Sequence, residues 1–235
     1  MSYPLYVIFG VLPSIIWLLF YLRRDVHPES NKMVLKIFFF GALVAIPAIF
    51  LEIGFFKISG ELNLPPHSLF ILNTFIGVAL VEEFLKYLVV QNQVLKCREF
   101  DEPIDAMLYM IISALGFAAL ENILILSQLG PGFLLGRTLE ISVFRFLGAT
   151  VLHALASGTI GYFLSLSFYK KRGRTIFVAL GLIIATALHG FYNYYIMKGE
   201  GNLKIFVPLA ILTGLAIFIA LGIKRLQKIS KLGKI

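Results

Sequence analysis

Apolar residues in this chain fall into seven long runs separated by short polar stretches, near Pro4–Leu22, Val34–Phe56, Ser68–Leu95, Asp105–Ser127, Leu139–Phe168, Thr175–Met197 and Leu203–Ile223. Each run supplies the roughly 20 residues that a helix needs to cross a hydrocarbon layer. The pattern predicts an all-α fold, a polytopic membrane helix bundle of about seven transmembrane helices, forming one domain over residues 1–235. The third and fifth runs exceed the required length, which predicts tilt or an interfacial extension there. Pro13 and Pro47 lie inside runs, where neighbouring helices compensate a kink. The first run has no positive charge before it and no small-residue cleavage pattern after it, so it reads as a retained helix rather than a signal peptide. No internal repeat, low-complexity segment or long linker interrupts the runs.

Composition agrees. Of 235 residues, 59% are hydrophobic and only 14% charged, against about a quarter charged in soluble domains. A net charge of +8 raises the question of nucleic acid, but the basic residues sit in short loops between the runs. That distribution points to membrane topology and lipid headgroups as partners, and to no nucleic acid. Arg23, Arg24, Lys32, Lys36, Lys96, Arg98, Lys170, Lys171, Arg172, Arg174, Lys224, Arg225, Lys228, Lys231 and Lys234 occupy one set of loops and ends; the other set holds Lys57, Arg137, Lys198 and Lys204. The positive-inside rule then places the N-terminus outside and the C-terminus in the cytoplasm, which requires an odd number of spans. The expected location is a cell membrane, as a multi-pass protein of a bacterial cytoplasmic membrane. The single cysteine, Cys97, excludes an intramolecular disulfide and a Cys-rich zinc site.

Within the runs, polar residues are few, and each charge near a bilayer centre costs about 2.5–3.5 kcal/mol on insertion scales. Glu52 lies near the outer end of the second run. The third run holds Asn73, Glu82, Glu83 and Lys86; the fourth, Glu121 and Asn122; the fifth, Arg145, His153 and Ser157; the sixth, His189 and Asn193. Glu82 and His153 sit near the middle of their runs. At 1.5 Å per residue, Glu121 and His189 fall within about 10 Å of the middle, both toward the outside. Residues from four spans are thus expected in one layer.

Lys86 stands four residues after Glu82 and three after Glu83, within reach of either along one helix. One glutamate is then paired and ionised, and the other, beside a like charge, is the candidate general base. A plain Glu–Lys packing pair explains one glutamate but not the second. Glu121 has three readings: a metal ligand, a histidine partner or a mate for Arg145. The small residues of Gly116-Phe117-Ala118-Ala119, and Ala154 with Gly158, suit close helix packing. His153 and Ser157 are one turn apart, yet no Gly-x-Ser-x-Gly surrounds Ser157, which argues against a serine hydrolase. His189 and Asn193 share a helix face and suit stabilisation of an oxyanion beside an activated water.

Glu82-Glu83-x-x-Lys86-Tyr87, Gly116-Phe117-Ala118-Ala119-Leu120-Glu121-Asn122, His153-x-x-x-Ser157-Gly158-x-x-Gly161 and His189-Gly190-x-x-Asn193 stand in this order between about Phe75 and Tyr194. In that order and on separate spans they resemble the PrsW family of intramembrane proteases. That family is similar to the CAAX prenyl endopeptidase and bacteriocin-immunity superfamily, which often carries Arg where this chain has Lys86. The resemblance implies a multi-pass bacterial membrane protease that makes the first (site-1) cut in a membrane-anchored anti-sigma factor and so releases a sigma factor in a stress response. It makes Glu82, Glu83 and His153 the catalytic positions, with His189 and Asn193 as their partners.

The expected reaction is peptide hydrolysis by a Glu-activated water, with Lys86, Glu121 and Asn122 in support. The cofactor is either none or zinc, since the resemblance covers enzymes treated as glutamic-type and as metalloproteases. No His-Glu-x-x-His is present, so a metal would be assembled from separate spans by Glu82, Glu121, His153 and His189. The partner expected is a single-pass membrane protein substrate. Rival readings are a proton- or ion-coupled transporter, because midplane Glu, His and Asn also mark ion paths, a CAAX-type prenyl-protein endopeptidase, and a non-catalytic membrane scaffold.

Overall fold

The computed structural model describes residues 3–24, 27–97, 99–128, 135–170 and 173–231. Among them are helices α1 (Tyr3–Leu22), α2 (Asn31–Gly60), α3 (Pro66–Leu72), α4 (Val81–Gln93), α5 (Pro103–Ser127), α6 (Leu135–Leu147), α7 (Ala149–Lys170), α8 (Arg174–Lys198) and α9 (Leu203–Lys231), and no strand. Seven spans are long and apolar enough to cross a membrane, as the runs predict. The two long runs are each interrupted, as regular α-helix, within their length. The third is a continuous span from Pro66 to Gln93, in which a π-helical stretch, Asn73–Leu80, joins α3 to α4. The fifth is assigned as two helices, α6 and α7, that meet at Gly148, with helical backbone bonding continued through it by Gly148 N–H to Phe144 O and Leu152 N–H to Gly148 O, both 2.9 Å.

Local signals fix the helix ends on the basic side. Ser30 Oγ accepts from Met33 N–H at 3.3 Å to start α2. Asp105 Oδ2 accepts from the backbone N–H of Glu102 (2.7 Å) and Asp101 (3.0 Å) to start α5 at Pro103. These acceptors satisfy donors that a helix start leaves open.

α5 is the axis. Two-thirds (67%) of its membrane window is buried, against 22–44% in the other spans, and α1, α2 and α7 pack around it. Glycines make that density possible. A Cβ on Gly41 would meet the Ser113 carbonyl, and one on Gly116 the Phe38 carbonyl, so α2 and α5 touch backbone to backbone at two reciprocal points. Gly161 of α7 meets Met107 Cα, and Gly10 of α1 meets Ile123, in the same way. Without a hydrophobic drive between helices in lipid, such close approach is what holds them together. Large apolar side chains such as Phe39, Phe50, Phe144 and Ile183 cover the outside, and Glu82, Glu83, Lys86, His153 and His189 lie within.

Candidate active site

The π-helical stretch delivers α4 to the interior with its charged turn inward. Glu82 is 5% exposed and Glu83 and Lys86 are fully enclosed. Gly77 within the stretch leaves room for Phe55 and Phe56 of α2, and Gly190 of α8 receives the ring of Phe75. The widened coil is thereby seated between α2 and α8, a feature that recurs near functional sites.

Lys86 has three N–H groups to give, and all three are used. Nζ donates to Glu83 Oε1 at 2.8 Å, to Glu82 Oε2 at 3.1 Å and to His153 Nδ1 at 2.8 Å, and sits 4.3 Å from the centre of the Phe117 ring. These contacts offset the cost of an enclosed ammonium. Glu83 is equally well held: Oε2 accepts from Ser157 Oγ at 2.5 Å, and Oε1 faces His189 Nδ1 at 3.0 Å as well as Lys86. Ser157 is therefore a carboxylate anchor, not a nucleophile with a base.

The partners fix both imidazoles. Lys86 can only donate, so His153 Nδ1 accepts and the ring proton sits on Nε2, 2.8 Å from Glu121 Oε2. His189 Nδ1 faces a carboxylate, so it carries the proton and leaves a lone pair on Nε2. The two unprotonated nitrogens, His153 Nδ1 and His189 Nε2, lie 3.6 and 3.9 Å from one atom, Oε2 of Glu82. Those gaps exceed a direct hydrogen bond and match a shared water or ion. The two rings stand edge to face, 5.1 Å apart.

A second ring of contacts holds the first. Arg145 of α6 pairs through Nη2 with Glu121 Oε2 at 2.8 Å, and its Nε donates to Asn122 Oδ1. Asn122 Nδ2 donates to Gly10 O (3.2 Å) and Thr150 Oγ1 (3.1 Å), tying α5 to α1 and α7. Of the three carboxylates in the two rings, Lys86 and Arg145 neutralise two. Glu82, between the histidines, holds only its one hydrogen bond to Lys86.

Glu82, Glu83, His153 and His189 offer ligand atoms all within 4.8 Å of one another. Two carboxylates and two imidazoles suit a divalent cation such as zinc, and carboxylates behind both rings are the usual support for such ligands. Glu121, expected from the sequence among the ligands, instead backs His153 from Nε2, and Glu83 takes its place in the group. Asn193 is half-buried one turn beyond His189 and takes no part in the hydrogen-bonded cluster. Asn73 bonds Ser59 Oγ at 2.6 Å, a packing role remote from the histidines.

Residues 29–221 match the family described as PrsW family intramembrane metalloprotease. The chain belongs to the PrsW family. The match runs from before α2 into α9, well past the motifs that carry the resemblance. Relatives named Protease PrsW include that of Geobacillus kaustophilus (strain HTA426), 31% identical over 81% of this chain and 79% of the relative. That of Bacillus subtilis (strain 168) is 31% identical over 79% of each chain, and that of Shouchella clausii (strain KSM-K16) is 28% identical over 96% and 97%. No solved structure matches. The PrsW assignment makes the chain a multi-pass intramembrane protease rather than a carrier or scaffold, in a family of metalloproteases.

Proposed function

We propose that this PrsW protein hydrolyses a peptide bond of a single-pass membrane protein with a water activated by Glu82. The observation that carries the reading is the convergence of Glu82 Oε2 with the two unprotonated histidine nitrogens. Water donating one proton to His189 Nε2 gives the other to Glu82 as its oxygen bonds the scissile carbonyl carbon, while His153 Nδ1 accepts from Lys86 and holds that ammonium beside the pair. The carboxamide of Asn193, a neutral donor on the His189 face of α8, stabilises the oxyanion. His189 serves the water side because its own N–H is committed to Glu83. The C–N bond then breaks, the proton on Glu82 passes to the leaving nitrogen, and the carboxylate is restored. Glu83, with Lys86, Ser157 and His189 all upon it, holds the array in place.

Glu82, His153 and His189, with Glu83 beside them, would hold zinc, at atoms that Lys86 now contacts; when bound, the ion would supply Lewis-acid polarisation of carbonyl and water. The substrate proposed is a membrane-anchored anti-sigma factor cut in a first step, in the bacterial cytoplasmic membrane. Its support is the motif order shared with the family.

The test is purified protein in liposomes with a candidate single-pass substrate, comparing wild type with Glu82→Gln, Glu83→Gln and His153→Ala. Undiminished cleavage by all three variants overturns the mechanism. Loss of cleavage on chelation, with recovery on added zinc, assigns the metal; cleavage indifferent to chelators assigns the metal-free form.

A further inference from the structure

The first and last spans leave a groove between them. Its floor is Val151 and Leu155 of α7, one wall is Trp17 and Phe20 of α1, and the other is Ile219 and Ile223 of α9, enclosing about 490 Å³. At one end the groove opens between Arg23, Arg24 and Lys224, and no carboxylate lines it. None of these three cations forms an ion pair among the described residues. Arg24 lies over the Phe20 ring at 4.9 Å, and Gln227 Nε2 donates to Arg24 O at 2.7 Å, bracing the mouth. Trp17 is held by its Nε1–H to Phe146 O at 3.0 Å.

We propose that this groove binds an acidic phospholipid, its phosphate between Arg24 and Lys224 and its acyl chains along Trp17 and Ile219. Charge complementarity chooses the occupant. A transmembrane segment would fill the apolar length but leave the cations unmatched, whereas an anionic headgroup on two acyl chains satisfies both ends. Basic pockets between spans at a Lys- and Arg-rich membrane face bind such headgroups. None of the clustered glutamates and histidines lines the groove, and the proposal does not depend on the proposed mechanism. It does share a helix with them: Val151 and Leu155 flank His153 in sequence, so the lipid would brace α7 from behind.

Trp17 is the only tryptophan of the chain, which makes its fluorescence a local reporter. Delipidated protein in detergent is titrated with phosphatidylglycerol carrying brominated acyl chains, and with brominated phosphatidylcholine. Saturable quenching by the acidic lipid, at far lower mole fraction than by the zwitterionic one, is expected. Arg24→Gln with Lys224→Gln raises the midpoint about thirtyfold, while Lys32→Gln with Lys36→Gln, the same loss of charge elsewhere on that face, leaves it unchanged. An equal effect of the two pairs, or wild-type quenching by Arg24→Gln/Lys224→Gln, overturns the proposal. Relief of quenching by inorganic phosphate as readily as by unbrominated phosphatidylglycerol would reduce the site to an anion site. Relief by a stoichiometric substrate segment would reassign the groove to substrate.

Discussion

Two adjacent glutamates of one helix turn are set apart by their surroundings. Glu83 is bound by an ammonium, a hydroxyl and an imidazole, and every change to it disturbs three neighbours. Glu82 holds one hydrogen bond to Lys86 and otherwise faces two ring nitrogens across gaps. Glu82→Gln is therefore expected to keep the fold and lower turnover by at least about 10²-fold, the scale of a lost general base. Glu83→Gln is expected to cost about 3–5 kcal/mol as well, because it leaves Lys86 enclosed with a weakened partner. Thermal melts beside turnover separate the two: equal melting temperatures for both variants would refute the division of labour. Farther out, Arg145 acts on His153 only through Glu121. Glu121→Gln is expected to lower turnover about 10–100-fold and to loosen the tautomer of His153. The ¹⁵N shifts of a labelled imidazole report that directly, and unchanged shifts would remove Glu121 from this role.

At the scale of elements, the inward turn of α4 depends on the π-helical stretch before it. Each residue in a widened coil rotates the succeeding helix relative to a regular α-helix, so deletion of Val78 is expected to rotate Glu82 and Glu83 by about 100°. Such a variant keeps its helix content by circular dichroism and loses cleavage; retained cleavage would mean that the stretch has no part in aiming the pair. The reciprocal glycine contacts between α2 and α5 are backbone against backbone and cannot yield by side-chain movement. Gly116→Ala is expected to cost about 1–3 kcal/mol, read as a lower melting temperature, while Gly54→Ala, with open space around it, costs far less. These features mark the limit of what the sequence discloses. Glu82, Glu83, His153 and His189 are legible because a charge or imidazole in an apolar run is costly and needs a reason. The π-stretch leaves no signature in residue type beyond Asn73 and Gly77. Glu121 contacts both His153 and Arg145, two of the three partners the sequence offers it; the choice among them depends on helix rotation, which spacing along one chain does not encode. Arg145 is visible as an anomaly and as one mate for Glu121, but its second contact, to Asn122, is not encoded in spacing.

The whole molecule is polar at its centre and apolar outside, and the family match extends from the start of α2 into α9. With seven spans, the loop between α2 and α3 and the turn after α4 lie on opposite ends of the bundle. The positive-inside rule predicts that the face of Lys32, Lys96 and Arg174 is the cytoplasmic one. Cys97, half-buried on that face and the only cysteine, provides the assay. In intact cells, a membrane-impermeant maleimide is expected to leave Cys97 unlabelled and to label it once the membrane is opened. A Cys97→Ser chain carrying Glu61→Cys, at the exposed end of α2, is expected to show the reverse, with full labelling in intact cells. Labelling of Cys97 but not of Glu61→Cys from outside would invert the topology. It would also move the mouth formed by Arg24 and Lys224 to the outer leaflet. The hydrolytic site would keep its geometry, since Glu82 and His153 lie near mid-span and their contacts are the same from either face.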